Sequence, residues 1–153
     1  MRKRVKQENG LEITAVIGTS AVLLSFEMEK SLTDGLLGFA IEREDHTENE
    51  KYYLKGFKYF EETAGNTFEG QLYSTFEHPV QSFLWEDFSV KCDHDYSYNV
   101  SPVYGKPKYL KYGSTCTIRF KMQENIQFIL IEVWQVVWLM LESSRIKDLD
   151  LKT

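Results

Sequence analysis

Cysteine is scarce in this chain: 153 residues contain two, Cys92 and Cys116. Two cysteines are too few to form the disulfide scaffold that stabilises many small secreted proteins. We therefore expect two free, partly buried thiols and a cytoplasmic protein.

Histidine is also scarce, and the three residues lack the neighbours that catalysis or metal binding requires. His46 lies in an acidic segment that has neither the turning glycine and spacing of a calcium loop nor the additional His or Cys of a zinc site. His78 and His94 have no serine or cysteine at a recognisable motif spacing. We expect no catalytic residue, no metal site and no cofactor, and hence no enzyme.

An excess of positive charge is absent as well. The chain has 18 Lys and Arg against 23 Asp and Glu, a net charge of -5. Because phosphate backbones are bound by clustered Lys and Arg, a nucleic-acid partner is not expected. The basic cluster "RKRVK" lies within residues 1–10, which we predict to be a disordered N-terminus.

No apolar run is long enough for an ordinary membrane span. The longest, Ile126 to Leu141, has the sequence "IQFILIEVWQVVWLML", whereas a spanning helix needs about 20 apolar residues. Glu132 near its middle would cost about 2–3 kcal/mol on insertion scales. We predict a helix here, and its use as a membrane anchor stays an alternative that is not favoured.

Aromatic residues are plentiful, and apolar and polar residues alternate through residues 11–121. The chain has 9 Tyr and 10 Phe, which a disordered chain does not carry. Leu37, Phe39 and Ile41 share one face of a predicted strand, and Glu42 and Glu44 share the other. About seven such segments separated by turns predict an all-β antiparallel sandwich over residues 11–121. The charged segment "REDHTENEK" is predicted to be a loop, because burying its side chains would be costly.

One segment, "VKCDHDYSYNVSPVYG", indicates the type of sandwich. Tyr96 begins an alternating strand six residues after the apolar Val90, with a short polar turn between them. This arrangement resembles the tyrosine corner of immunoglobulin-like and fibronectin type III domains, in which the phenol bonds back to the preceding connection. The chain is similar to fibronectin type III repeats over most of residues 11–121.

The candidate structural residues of this sandwich are aromatic. They are Tyr96, Tyr98, Trp85 and Phe39. The chain departs from the fibronectin type III pattern at Phe26, which stands near the usual position of a tryptophan in the second strand.

A narrower resemblance rests on four motifs in order: "LLGFAI", "DHT", "HP.Q.F.W.D" and "Y.Y.V...YG". Together they resemble the N-terminal accessory domain of bacterial phospholipase D-like proteins. The resemblance implies an all-β module that precedes a larger catalytic region with His-x-Lys motifs. None of the three histidines here is followed by x-Lys, so no catalytic residue carries over.

The resemblance implies a non-catalytic accessory or binding domain that lacks its catalytic region. Its partner would be that missing catalytic domain or another protein. The alternative is a small binding module tethered to a membrane or a partner by its C-terminal apolar helix.

The tail, residues 122–153, breaks the alternating pattern of the preceding residues. Its apolar residues wrap most of a helix and leave no polar face, which is unusual for a soluble surface helix. Codons can be chosen for this segment that encode a family-like continuation when read one nucleotide out of frame. We therefore expect that the tail is out of frame, with the change of reading frame near residues 121–128.

Overall fold

The computed structural model describes residues 1–8, 10–122 and 134–142. The chain divides into two compact units, Met1–Gln123 and Glu124–Thr153. Each unit is described by itself.

Eleven strands and one 3-10 turn, Lys30–Leu32, make up the regular structure of the described part of the first unit. The strands are β1 (Arg2–Lys6), β2 (Glu12–Ile17), β3 (Val22–Glu27), β4 (Leu36–Asp45), β5 (Glu50–Tyr53), β6 (Lys55–Gly56), β7 (Tyr73–Ser74), β8 (Leu84–Asp87), β9 (Asp95–Lys106), β10 (Tyr109–Tyr112) and β11 (Cys116–Lys121).

All strand pairs in the first unit are antiparallel. One sheet has the order β1-β2-β3-β8. The second has the order β10-β9-β4-β5, with β11 also pairing with β9, and β6 and β7 form a short ribbon. The predicted all-β antiparallel fold is confirmed.

The two larger sheets contribute to one hydrophobic core. Alternate residues of β11, namely Cys116, Ile118 and Phe120, are buried, while the residues between them are exposed. They join buried side chains of β2, β3, β4 and β9 in a single cluster. The two-residue period of a strand puts these apolar side chains on one face, where leaving water stabilises the fold.

A bulge in β4 draws the segment before β8 onto the second sheet. The register between β4 and β9 shifts between Leu36 and Gly38. Gly38 has φ +156°, and a Cβ there would lie 2.4 Å from the carbonyl oxygen of Val80. Next to it, Phe39 and Val80 exchange two backbone hydrogen bonds of 3.0 and 2.8 Å. Only glycine permits this close approach.

The structure corrects the prediction of a disordered N-terminus. Within residues 1–10, β1 pairs with β2. The Met1 ammonium donates a 3.0 Å hydrogen bond to the Ile17 carbonyl, and Arg4 forms a 2.8 Å ion pair with Glu12. The edge of β2 offers backbone partners to β1, while charged side chains at a sheet edge extend into water at little cost.

The segment "REDHTENEK" is not wholly a loop. Arg43 and Asp45 end β4 and are buried, and the following strand, β5, begins at Glu50. The cost of burying these charges is offset because Arg43 pairs with the carboxylate of Asp87 and Asp45 has the His94 ring as a hydrogen-bond partner.

The second unit is described only at residues 134–142, which are helical. Most side chains of residues 134–142 are apolar and exposed, including Trp134, Trp138 and Leu141. The remainder of the predicted tail helix and the expected frame change near residues 121–128 lie largely outside the described residues. Within the described part of the chain, no helix is both long and apolar enough to cross a bilayer.

Candidate functional site

An open cleft lies between the last strands of the two larger sheets. β5 ends one sheet and β8 ends the other. The cleft has a volume of about 720 Å³. Its walls are Tyr52, Tyr53, Leu54, Lys55, Trp85, Glu86, Asp87, Phe88 and Ser89.

A smaller pocket shares Trp85 with this cleft. It has a volume of about 270 Å³. It is lined by Gly56, Phe57, Lys58, Thr75, His78, Pro79, Val80, Gln81, Ser82, Leu84 and Trp85. Phe57 and Leu84 are largely exposed, so the pocket has an apolar rim. We call the larger feature the β5–β8 cleft and the smaller one the Trp85 pocket.

The strands that border the cleft have free edges. Among the described residues, β5 pairs with β4 alone and β8 with β3 alone. Leu54 N–H donates to the Ile41 carbonyl and Phe26 N–H donates to the Phe83 carbonyl. Because hydrogen-bonded pairs alternate along an antiparallel ladder, the backbone groups of Tyr52 and Trp85 face β4 and β3. The N–H and C=O groups of Tyr53 and Glu86 therefore face outward and are open to a further strand.

A buried polar network lies beneath the cleft and joins the two sheets. Arg43 on β4 donates through Nη1 to Asp87 Oδ2 on β8 over 2.8 Å. The Tyr98 hydroxyl on β9 donates to the same oxygen over 2.6 Å. The second carboxylate oxygen accepts from the backbone N–H and the hydroxyl of Ser89. Arg43 also donates through Nη2 to the Tyr52 hydroxyl, so the network reaches the cleft wall.

Asp87 stays ionised within this network. Burial would raise the pKa of Asp87, but hydrogen bonds from Ser89 and Tyr98 and the Arg43 charge more than offset it, so that pKa lies below its usual value. Burial and the neighbouring Asp87 charge raise the pKa of the Tyr98 phenol far above its usual range. Asp87 is therefore an acceptor and Tyr98 a donor at neutral pH.

The structure brings Tyr96 and Tyr98, two of the predicted residues, to the start of β9 with both rings buried. The Tyr96 hydroxyl accepts a 2.9 Å hydrogen bond from the backbone N–H of Lys91, in the connection before the strand. The Arg43 guanidinium lies 5.2 Å from the centre of the Tyr96 ring. Tyr96 is thus linked through Arg43 to the network that holds Tyr98.

The other two predicted residues lie apart from that network. Phe39 is buried in the core, where its ring centre is 4.7 Å from that of Phe26. Trp85 is half-buried, and its Nε1 is a buried donor that has no hydrogen-bond partner among the residues that the structure describes. Of the four residues, Trp85 alone lines the β5–β8 cleft and the Trp85 pocket.

One group of side chains among the described residues could hold a metal ion: Asp45, Glu48 and His94, with candidate ligand atoms within 4.8 Å of one another. His94 Nδ1 lies 2.7 Å from Asp45 Oδ2, and Lys91 Nζ lies 2.6 Å from Glu48 Oε1. A metal ion would have to displace Lys91 from Glu48. As it stands, the group is an ionic network that ties the β4–β5 turn to the start of β9.

Neither cysteine forms a disulfide. Cys116 is buried in the core and Cys92 is exposed. Cys92 Sγ lies 3.4 Å from the Thr19 carbonyl oxygen, and burial raises the pKa of the Cys116 thiol. A buried thiol with a raised pKa is a poor nucleophile.

Sequence reasoning missed Arg43 and Asp87. A signal for Arg43 was present, because the alternation of Phe39 and Ile41 continues inward at Arg43 and Asp45. Asp87 likewise shares the parity of Trp85 on β8. Charge was weighed above periodicity in "REDHTENEK", although a charged residue can be buried when a partner on another strand is available.

Comparisons of the chain with protein-family models, with curated proteins and with solved structures found no match.

Proposed function

We propose that residues 1–122 form a non-catalytic binding module, and that the β5–β8 cleft binds an extended peptide segment of a partner protein. The observation that carries this proposal is the cleft itself, bordered by two free strand edges. An extended peptide adds to such an edge through main-chain hydrogen bonds, and nearby pockets for alternate side chains supply specificity.

The composition of the cleft supports binding rather than catalysis. Its titratable wall residues are Tyr52, Tyr53, Lys55, Glu86 and Asp87. Asp87 accepts hydrogen bonds from Arg43 and Tyr98 and is not available as a base. Binding clefts are commonly apolar with a few placed polar groups, which matches the walls described above.

The proposed fold type is a fibronectin type III-like sandwich. The strand orders β2-β3-β8 and β11-β9-β4-β5 support it, because such domains pack two antiparallel sheets with connections of this kind. The bond from Lys91 N–H to the Tyr96 hydroxyl has the form of a tyrosine corner. β1 and the β6–β7 ribbon would be additions to that plan.

A narrower proposal is that this module is the accessory domain of a phospholipase D-like protein. It rests on the sequence motifs alone. Under this proposal the partner would be a catalytic domain that carries His-x-Lys motifs. The nucleotide sequence that follows the codons of residues 121–128 tests it: a long alternative frame encoding His-x-Lys supports the proposal, and none would overturn it.

Peptide selection tests the proposed function. The full chain is immobilised and selected against a library of random peptides. Each recovered peptide is then resynthesised with N-methyl groups at alternate residues. Since N-methylation removes the N–H that pairs with a strand edge, one of the two methylation patterns is expected to abolish binding. Recovery of no binding peptide, or binding that tolerates both patterns, would contradict strand addition.

A second candidate function is attachment of the module to a membrane surface by its apolar helix. The exposed Trp134 and Trp138 in residues 134–142 favour it, since tryptophan is enriched at membrane–water interfaces. Flotation of the full chain with vesicles of neutral phosphatidylcholine is the test. Salt-resistant flotation that is lost in Trp134→Ser/Trp138→Ser supports attachment, and recovery of the chain at the bottom of the gradient contradicts it.

A further inference from the structure

The Trp85 pocket has the size of one bulky side chain. Its volume is about 270 Å³, which is below the range of about 300–1,000 Å³ for sites that hold whole drug-sized ligands. A water molecule takes about 30 Å³ of liquid volume, so the pocket has room for several waters or one aromatic ring. Gly56 lines the pocket beside the Trp85 ring, and a Cβ there would touch that ring at 3.4 Å, so a larger side chain at this position would take up space in the pocket.

Two aromatic rings that line this pocket are neutral. The Trp85 indole carries no charge, and its Nε1 is a buried atom with no hydrogen-bond partner among the described residues. His78 accepts the Phe60 backbone N–H at Nδ1, so its neutral ring carries the proton at Nε2. Burial lowers the pKa of His78 and keeps the ring neutral. Two neutral rings in the wall suit an apolar side chain.

The rim carries positive charge that is free within the described part of the chain. Lys55 lies on the cleft wall and Lys58 on the pocket wall, and neither forms an ion pair with a described residue. Two acidic residues, Glu86 and Asp87, line the cleft. Because Asp87 is paired with Arg43, Glu86 supplies the negative charge that opposes the two lysines. An anionic group next to the apolar side chain would therefore be favoured.

We propose that the Trp85 pocket receives one aromatic or branched apolar side chain of the bound peptide, packed against the Trp85 ring. This inference rests on the proposed function and names the anchor residue of the peptide. An acidic residue flanks the anchor on the side of Lys58. A peptide fits better than a free small molecule because the neighbouring strand edges supply main-chain partners.

The test uses the indole signal of Trp85 in the full chain. In Trp134→Phe/Trp138→Phe, Trp85 is the one remaining tryptophan, so a single indole resonance reports on the pocket. The probes are the N-methylamides of N-acetylphenylalanine, N-acetylleucine and N-acetylserine, and the free acid N-acetylphenylalanine. A saturable shift change of the indole signal is expected with the phenylalanine and leucine probes but not with serine, and the free acid is expected to bind more tightly at low salt.

Two variants separate the pocket from general effects. Gly56→Val fills the pocket and is expected to weaken the phenylalanine probe about tenfold or more, the scale of one methylene group in a hydrophobic site. If Gly56→Val fails to fold, Trp85→Phe reduces the ring surface on the pocket wall, and the methyl signals of Val80 and Leu84 then report weaker binding.

The failures are distinguishable. In one outcome, library peptides bind in an N-methyl-sensitive manner. If the serine probe then shifts the indole signal as much as the phenylalanine probe does, or if no probe shifts it, the proposed anchor is overturned and the proposed function stands. If neither peptides nor probes bind, both are overturned.

Discussion

Arg43 and Asp87 are the charged residues on which the two sheets depend most. Their side chains are 6% and 4% exposed, and Asp87 also accepts from Tyr98 and Ser89. Removing one member of a buried pair leaves the other charge uncompensated, which costs far more than breaking a surface pair. The free energy of unfolding should therefore be sensitive to either residue.

Asp87→Asn is expected to lower the free energy of unfolding by about 3 kcal/mol, the lower end for breaking a buried pair, since the amide still accepts one hydrogen bond. Asp95→Asn is the matched control: its partner Arg119 is 58% exposed, so the loss should stay below about 1 kcal/mol. Urea unfolding measures both. Equal losses in the two variants would contradict the role of the buried pair.

The same pair gives a pH dependence whose sign follows from the lowered pKa of Asp87. A carboxyl whose pKa is lower in the folded state stabilises above its unfolded pKa, about 3.9, and loses that contribution as pH falls through the folded value. The stability difference between the unchanged chain and Asp87→Asn should be full at pH 7 and shrink in acid. A difference that stays constant down to the acid transition would contradict this.

Tyr96→Phe tests the corner at the start of β9. It removes the acceptor of the Lys91 N–H, so we expect a loss of about 1 kcal/mol in the free energy of unfolding. Tyr109→Phe is the control, because Tyr109 is 76% exposed and should change stability little. Thermal and urea unfolding give both values. A Tyr96→Phe chain as stable as the control would show that the bond contributes nothing.

At the scale of elements, β1 is a strand that carries four basic residues in "RKRVK". Its backbone pairs with β2, and the Ile17 N–H donates to the Met1 carbonyl over 2.7 Å. Hydrogen exchange measured by NMR should therefore show slow exchange at Ile17 and at the paired amides of β1. Gly65 and Asn66, in the turn-rich connection between β6 and β7, serve as the fast reference. Exchange at Ile17 as fast as at Asn66 would contradict the pairing of β1 with β2.

Strands whose apolar residues alternate were predictable, as β9 and β11 show, because the two-residue period is a local property of the sequence. The charge and the terminal position of residues 2–6 did not predict β1, because this strand depends on pairing with the edge of β2. The β5–β8 cleft could not be found either, because it depends on which strands end each sheet. Trp85 was predicted as a structural residue of the sandwich, whereas its place in the cleft follows from strand order.

At the scale of the whole molecule, residues 134–142 place apolar side chains in water. Trp134, Trp138 and Leu141 are each more than half exposed, at 69%, 62% and 61%. Contiguous exposed apolar surface promotes association. We expect concentration-dependent self-association in light scattering, reduced in Trp134→Ser/Trp138→Ser/Leu141→Ser. Val16→Ser, at an exposed site on β2, is the control that should leave association unchanged. Equal association in all three chains would contradict the prediction.

We propose that the first unit binds a peptide between β5 and β8. The most direct measurement is an NMR titration of the full chain with a peptide recovered from the library, following every assigned backbone amide. We predict that the largest shift changes fall on Tyr53 and Glu86, whose N–H groups face outward from the two strands, and that the matching N-methylated peptide causes neither change. Changes centred instead on β10 and β11, with those two amides unmoved, would contradict binding at this cleft.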